Sequence, residues 1–133
     1  RGILDDEIWS AIKKQDQAFK RIKDIVDGLR EYARQDTQNE NVDCHKAITN
    51  TAQLIETIFE KEKIQIALNL AADENVVFGS KGKLQQVVMN FLSNSRDAIN
   101  KKGNEGLIKI ETFNQDNFVI IKFDSVITSS TNI

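Results

Sequence analysis

Asn90, Asn94 and Asp97 stand at spacings of four and three in the stretch Lys83 to Ile99, which reads KLQQVVMNFLSNSRDAI. At about 100° per residue these three side chains fall within roughly 60° of one another, so they project from a helix together. Leu84, Val87, Val88, Phe91, Leu92, Ala98 and Ile99 recur at the spacing of one buried helical face. The polar stripe is expected to border that apolar arc. Two amides and a carboxylate at the edge of a core are half-desolvated, and they suit the wall of a binding pocket. The same spacing also describes a surface stripe with no task, and spacing alone does not choose between the two.

The run Asn90-Phe-Leu-Ser-Asn94-Ser-Arg-Asp97-Ala98, preceded by Leu84-Gln-Gln86-Val, resembles the N box of the ATP-binding domain of sensor histidine kinases. That domain is of the GHKL type, shared with heat-shock chaperone, gyrase and mismatch-repair ATPases. The resemblance implies ATP and magnesium as ligands. Asn94 would ligate the magnesium that bridges the phosphates, Asn90 would face the phosphates one turn earlier, and Asp97 would support the pocket. A neutral amide oxygen fits the magnesium role, because this hard cation keeps most of its waters and takes few protein oxygens. The chaperone and gyrase enzymes carry Glu where this chain has Asn90. An amide cannot accept the proton of an attacking water, so phosphoryl transfer to a protein fits better than hydrolysis.

The elements that must position these residues follow from the rest of the chain. From about Ile3 to Arg34, Ile8, Ile12, Gln15, Phe19, Ile22, Val26, Leu29 and Ala33 alternate spacings of four and three, a heptad seam in one long helix. Ile25 and Tyr32 widen the stripe as in a four-helix bundle. Gln15 is polar at a core position, and Gly28 costs about 1 kcal/mol against alanine, so packing is expected to override it. With no covering helix evident in the chain, the stripe calls for a partner. Residues Phe19 to Arg34 resemble the second dimerisation helix of a histidine kinase, which implies a homodimer or higher oligomer.

Gln35 to Asn41 reads as a polar linker. Asp43 is a candidate N-cap for a helix over Cys44 to Lys61, with Ile48, Ala52, Ile55 and Phe59 facing a core. Cys44, the single cysteine, fits a packed thiol in a reducing compartment. His45, the single histidine, reads as a surface or capping residue and not as a phosphoacceptor. Strands are expected over Lys63 to Leu70, Val76 to Phe78, Leu107 to Phe113 and Phe118 to Phe123, with Ser80 capping the N-box helix and Asn114 to Asn117 turning a hairpin.

This order predicts an α+β fold: a dimerisation helix over 1–36, then over 37–133 a partial sandwich of the histidine-kinase ATPase (Bergerat) type. The resemblance places the adenine-reading aspartate at Asp124, at the end of the fourth strand. There the family continues Asn-Gly-x-Gly, whose glycines admit the nucleotide; this chain continues Ser125-Val-Ile-Thr128. The lid and second glycine-rich box are not recognised downstream, nor a phosphoacceptor histidine upstream. The expectation is therefore a piece of a two-component histidine kinase cut within its catalytic domain, inactive by itself. The parent would move the γ-phosphoryl of ATP to a histidine and then to a response regulator, in the cytoplasm. The alternative is a non-catalytic dimerisation or interaction module.

Composition sets outer bounds. The 133 residues suffice for one domain with an appended helix, and 40% hydrophobic and 29% charged residues are ordinary for a globular chain. A net charge of −2 gives no reason to expect nucleic acid or an anionic membrane as partner. No apolar run approaches the roughly 20 residues of a membrane span.

Overall fold

The computed structural model describes the backbone of residues 3–35, 38–103 and 105–129, and the side chains of 17, 18, 20–35, 38–103 and 105–128. Helix α1 spans Ile3–Gln35, α2 Cys44–Lys61 and α3 Lys81–Lys101. The strands are β1 (Glu40–Asp43), β2 (Ile64–Leu70), β3 (Val76–Gly79), β4 (Glu105–Gln115) and β5 (Phe118–Ser129). The protein is α+β.

Local chemistry sets the ends of α2 and α3. Asp43 accepts a hydrogen bond from the Lys46 backbone N–H (3.2 Å), and Ser80 accepts one from the Lys83 N–H (3.2 Å). Both satisfy donors that an uncapped helix leaves orphaned. Lys63 (φ 60°) turns the chain out of α2 in the left-handed region, and Gly103 (φ 63°) does so after α3. Between β4 and β5, Asp116 (φ 51°) and Asn117 (φ 68°) form a two-residue hairpin turn whose positive φ values match the twist of the strands.

β4 is the centre of a three-stranded sheet, parallel to β2 and antiparallel to β5. Its pleat turns Ile108, Ile110 and Thr112 into the core and Lys109 and Phe113 out to solvent. The helices cover the inner face. Phe59, Ile48 and Ile55 of α2 and Met89, Leu92 and Ile99 of α3 are fully or almost fully buried there. Each such side chain contributes about 1.5–3 kcal/mol by leaving water. Gly106 keeps β4 close to α3, for a Cβ there would run into the Ile99 side chain.

Three expectations change. The segment read as linker carries β1, which pairs antiparallel with β3 as a separate two-stranded sheet, so the described residues form five strands where four were expected. Only Val42 of its four residues is buried, which is why the run looked like a loop. β5 does not end near Asp124 but stays paired with β4 to Ser129. And the α1 stripe has a partner within the chain. Ile22 and Ala33 are buried, and Ile25, Val26 and Leu29 pack half-buried against the same core. The helices touch closely at Gly82 of α3, where a Cβ would lie 2.6 Å from the Tyr32 ring and 3.1 Å from Ala33 Cα. The apolar row that seemed to need a second chain is spent, from Ile22 onward, on this one. Gly28 has nothing within 4 Å of where a Cβ would be, so no tight contact requires it. The side chains of Ile8, Ile12, Gln15 and Phe19 lie outside the described residues.

Candidate functional site

Helix α3 buries Val88, Met89, Leu92, Ser95, Arg96 and Ile99. Taking Leu92 as the centre of that face, Asn90, Asn94 and Asp97 lie within roughly 40° of the opposite direction. The expectation that the polar stripe borders the core is thus corrected: it opposes it. Val87 and Ala98, assigned to the core by spacing, are exposed, while Met89 and Arg96 take their place inside. The three candidate side chains do stand together, with Asn94 and Asp97 exposed and Asn90 partly covered. They offer two amide oxygens, one carboxylate and four amide N–H donors along two turns of the helix.

That helix is held in phase by a polar latch. Arg96 is 5% exposed and grips Glu62 at the end of α2 through two nitrogens, Nε to Oε2 at 2.6 Å and Nη2 to Oε1 at 2.6 Å. Asn100 Nδ2 donates to the same carboxylate at 2.8 Å. A buried guanidinium is costly unless its donors are met, and this two-pronged geometry meets them. On its other side Arg96 Nη1 lies 3.7 Å from Asp97 Oδ1. Sequence reasoning passed over Arg96. The signal was present: a charge four residues from Leu92 and three from Ile99 is in phase with the core.

Asp124 does not join this group. In the β4–β5 register it is opposite Lys109, on the outward face of the sheet, and it lines a cleft of about 140 Å³ with Lys109, Glu111 and Lys122. Phe123 is the inward neighbour, its ring 4.7 Å from that of Phe91 on α3. The next inward position is Ser125, opposite buried Ile108. The helix side of the sheet therefore receives a hydroxyl at 125, and the carboxylate at 124 points the other way.

His45 reaches Thr112: Nε2 and Oγ1 are 2.7 Å apart, and the same oxygen accepts the Ala72 N–H at 3.2 Å. It ties the start of α2 to β4 as a partly buried structural bridge, more embedded than a surface cap. The Cys44 thiol is buried, and that burial, with the Asp43 charge next to it, pushes its pKa up, away from reactivity. Asp43 is held below the ordinary carboxylate range by the Lys46 N–H, against a smaller opposing effect of burial, and further by the Asn75 amide at 2.6 Å. Among the described residues no cluster of three His, Cys, Asp or Glu side chains could cage a metal ion. The Asn94 and Asp97 oxygens still suit magnesium, which needs one or two protein oxygens beside waters and phosphates. No described helix is long and apolar enough to cross a membrane.

Compared with solved structures, the chain has the fold of histidine-kinase catalytic domains. It matches the nucleotide-free catalytic domain of histidine kinase ThkA in two crystal forms. In one the identity is 20% over 65% of this chain and 57% of that one, with a TM-score of 0.58. In the other it is 19% over 68% and 60%, with a TM-score of 0.59. The structure of ThkA in complex with the response regulator TrrA matches at 20% identity over 81% of this chain and 32% of that one, TM-score 0.56. The chain thus spans less than two thirds of these solved chains. No protein-family model and no curated protein matches it in sequence.

Proposed function

We propose that the chain is the nucleotide-binding part of a protein-histidine kinase of two-component signalling, with the phosphates of Mg-ATP held on the open face of α3. The observation that carries this reading is that α3 packs with one face and leaves Asn90, Asn94 and Asp97 together on the other. The histidine-kinase catalytic fold supports it. Asn94 would be the magnesium ligand, with Asn90 donating its amide N–H groups to phosphate oxygens and Asp97 accepting from the ion's waters. When bound, the metal would offset the charge of the transferring phosphoryl group. Positioning and charge stabilisation account for most catalysis in phosphoryl transfer, and the rigidity of a latched helix serves that end. Asp124 has no part in this arrangement, because it stands on the other side of the sheet. The phosphoryl acceptors are a histidine and then a response regulator, by analogy with a fold whose solved example includes a regulator complex. A homodimer or higher oligomer through α1 is part of the proposal.

One feature favours the non-catalytic reading. Ser125 to Ile127 continue β5 as strand paired with β4, so β-carbons stand where the resemblance calls for glycines. Calorimetric titration with magnesium and a non-hydrolysable ATP analogue separates the two. The kinase reading expects weak, magnesium-dependent binding in the millimolar range, abolished in Asn94→Ala. Absence of binding at saturating analogue would leave an interaction module.

A further inference from the structure

β2 is an edge strand, paired only with β4 among the described residues. Its sequence, IQIALNL, carries no charge and no proline, and its register with β4 shows no bulge. Those are the devices that blunt an exposed edge, and their absence leaves a row of backbone donors and acceptors open for pairing. Alongside this edge, between β2 and the last turns of α2, runs a cleft of about 300 Å³. Ile64, Ile66, Ala67 and Leu107 give it an apolar lining, and Glu56 and Glu60 stand at its rim. These two carboxylates are four residues apart on one helix face, both exposed, and neither is in an ion pair among the described residues. Adjacent like charges repel, and a cation set against them relieves the repulsion. The nearby cation Lys63 is already turned to Glu105, 3.5 Å away.

We infer that this cleft is a docking site for an extended basic segment of a partner protein, which adds to β2 as a further strand. Backbone hydrogen bonds to the free edge supply the binding, and alternate side chains supply the selection. Lysines or arginines of the alternate set on the helix side, next to Ile64 and Ile66, would face Glu56 and Glu60, and apolar residues of the other set would lie beside Ala67 and Leu107 on the outer side of the sheet. The residues from Ile64 to Ala67 offer about 13 Å of edge at the usual strand rise, enough for a short segment.

The test uses the full chain, isotope-labelled, titrated with a capped peptide of alternating lysine and valine. Amide shifts should saturate at Ile64 to Ala67, and a glutamate–valine peptide should leave them unmoved. Combining Glu56→Lys with Glu60→Lys should weaken binding about tenfold, as expected for two exposed ion pairs, without altering the fold. Methylating alternate peptide amides should abolish the complex while keeping every charge. The inference is overturned if the double reversal binds equally well, or if the methylated peptide does. Shifts confined to α3 or to the Lys109–Asp124 face would also overturn it. So would peptide-free, concentration-dependent shifts at Ile64 to Ala67, which would give the edge to a second copy of the chain.

Discussion

On the side of α3 that meets the core, Val88, Met89, Leu92 and Ile99 are packed and Arg96 is closed by Glu62, which also accepts from Asn100. On the other side Asn94 and Asp97 stand in solvent beside Val87, with Asn90 partly covered. One helix thus carries a face that determines stability and a face free to recognise something. A substitution on the first should change the fold's free energy, and one on the second should change binding with little effect on the fold. That separation can be tested directly.

The largest effect belongs to Leu92→Ala, which removes a fully buried side chain and should destabilise the protein by about 2–5 kcal/mol. Asn94→Ala on the opposite face should stay within about 0.5 kcal/mol of the parent in the same denaturant titration. Equal losses in the two variants would break the distinction. Arg96→Ala comes next, because it leaves the Glu62 carboxylate with the Asn100 amide but without its cation. The cost should be about 3 kcal/mol, at the low end for breaking a buried pair, since Glu62 keeps some contact with water. A loss below 1 kcal/mol on chemical unfolding would show the latch to be ornamental.

Gly82→Ala sharpens the comparison from the side of α1. Its methyl group would press on Tyr32, whose exposed ring can yield, and on the Ala33 backbone, which cannot. A loss of about 1–3 kcal/mol is expected from overpacking, with faster hydrogen exchange in α1. Unchanged exchange would mean that the α1–α3 contact contributes little. The smallest effect is acid sensitivity at Asp43. Its folded pKa is depressed, so its stabilising contribution is present above the ordinary carboxylate value of about 3.9 and is lost as pH falls through the lower folded value. Asp43→Asn keeps the acceptor for the Lys46 N–H but not the titration. The difference in melting temperature between parent and variant should therefore shrink from pH 6 to pH 3, about three pH units that bracket the carboxylate range. A constant difference would exclude the charge as its cause.

What was legible in the sequence was what neighbours in the chain decide. The bounds of α2, the caps at Asp43 and Ser80, the turn after Gln115 and the glycine after α3 each rest on a few adjacent residues. What was not legible depends on partners far away. β1 exists because it pairs with β3, more than thirty positions on, and ENVD alone shows no strand period. Arg96 is inside because Glu62 is there to meet it. The side of the sheet on which Asp124 falls is set by its register with Lys109, and a shift of one residue would have reversed it. The phase of the polar stripe was missed for a related reason. Hydrophobicity alone puts Val87 and Ala98 in the core, and with both outside, the centre of the buried face turns away from Asn90, Asn94 and Asp97.

The open face of α3 is the proposed ligand face. Amide shifts of the isotope-labelled full chain, followed while magnesium and a non-hydrolysable ATP analogue are added, test it most directly. The expected result is a magnesium-dependent set of shifts centred on Asn90, Asn94 and Asp97, absent in Asn94→Ala and sparing Lys109 and Asp124. Shifts centred instead on the Lys109–Asp124 face, or none on α3 at saturating analogue, would contradict it.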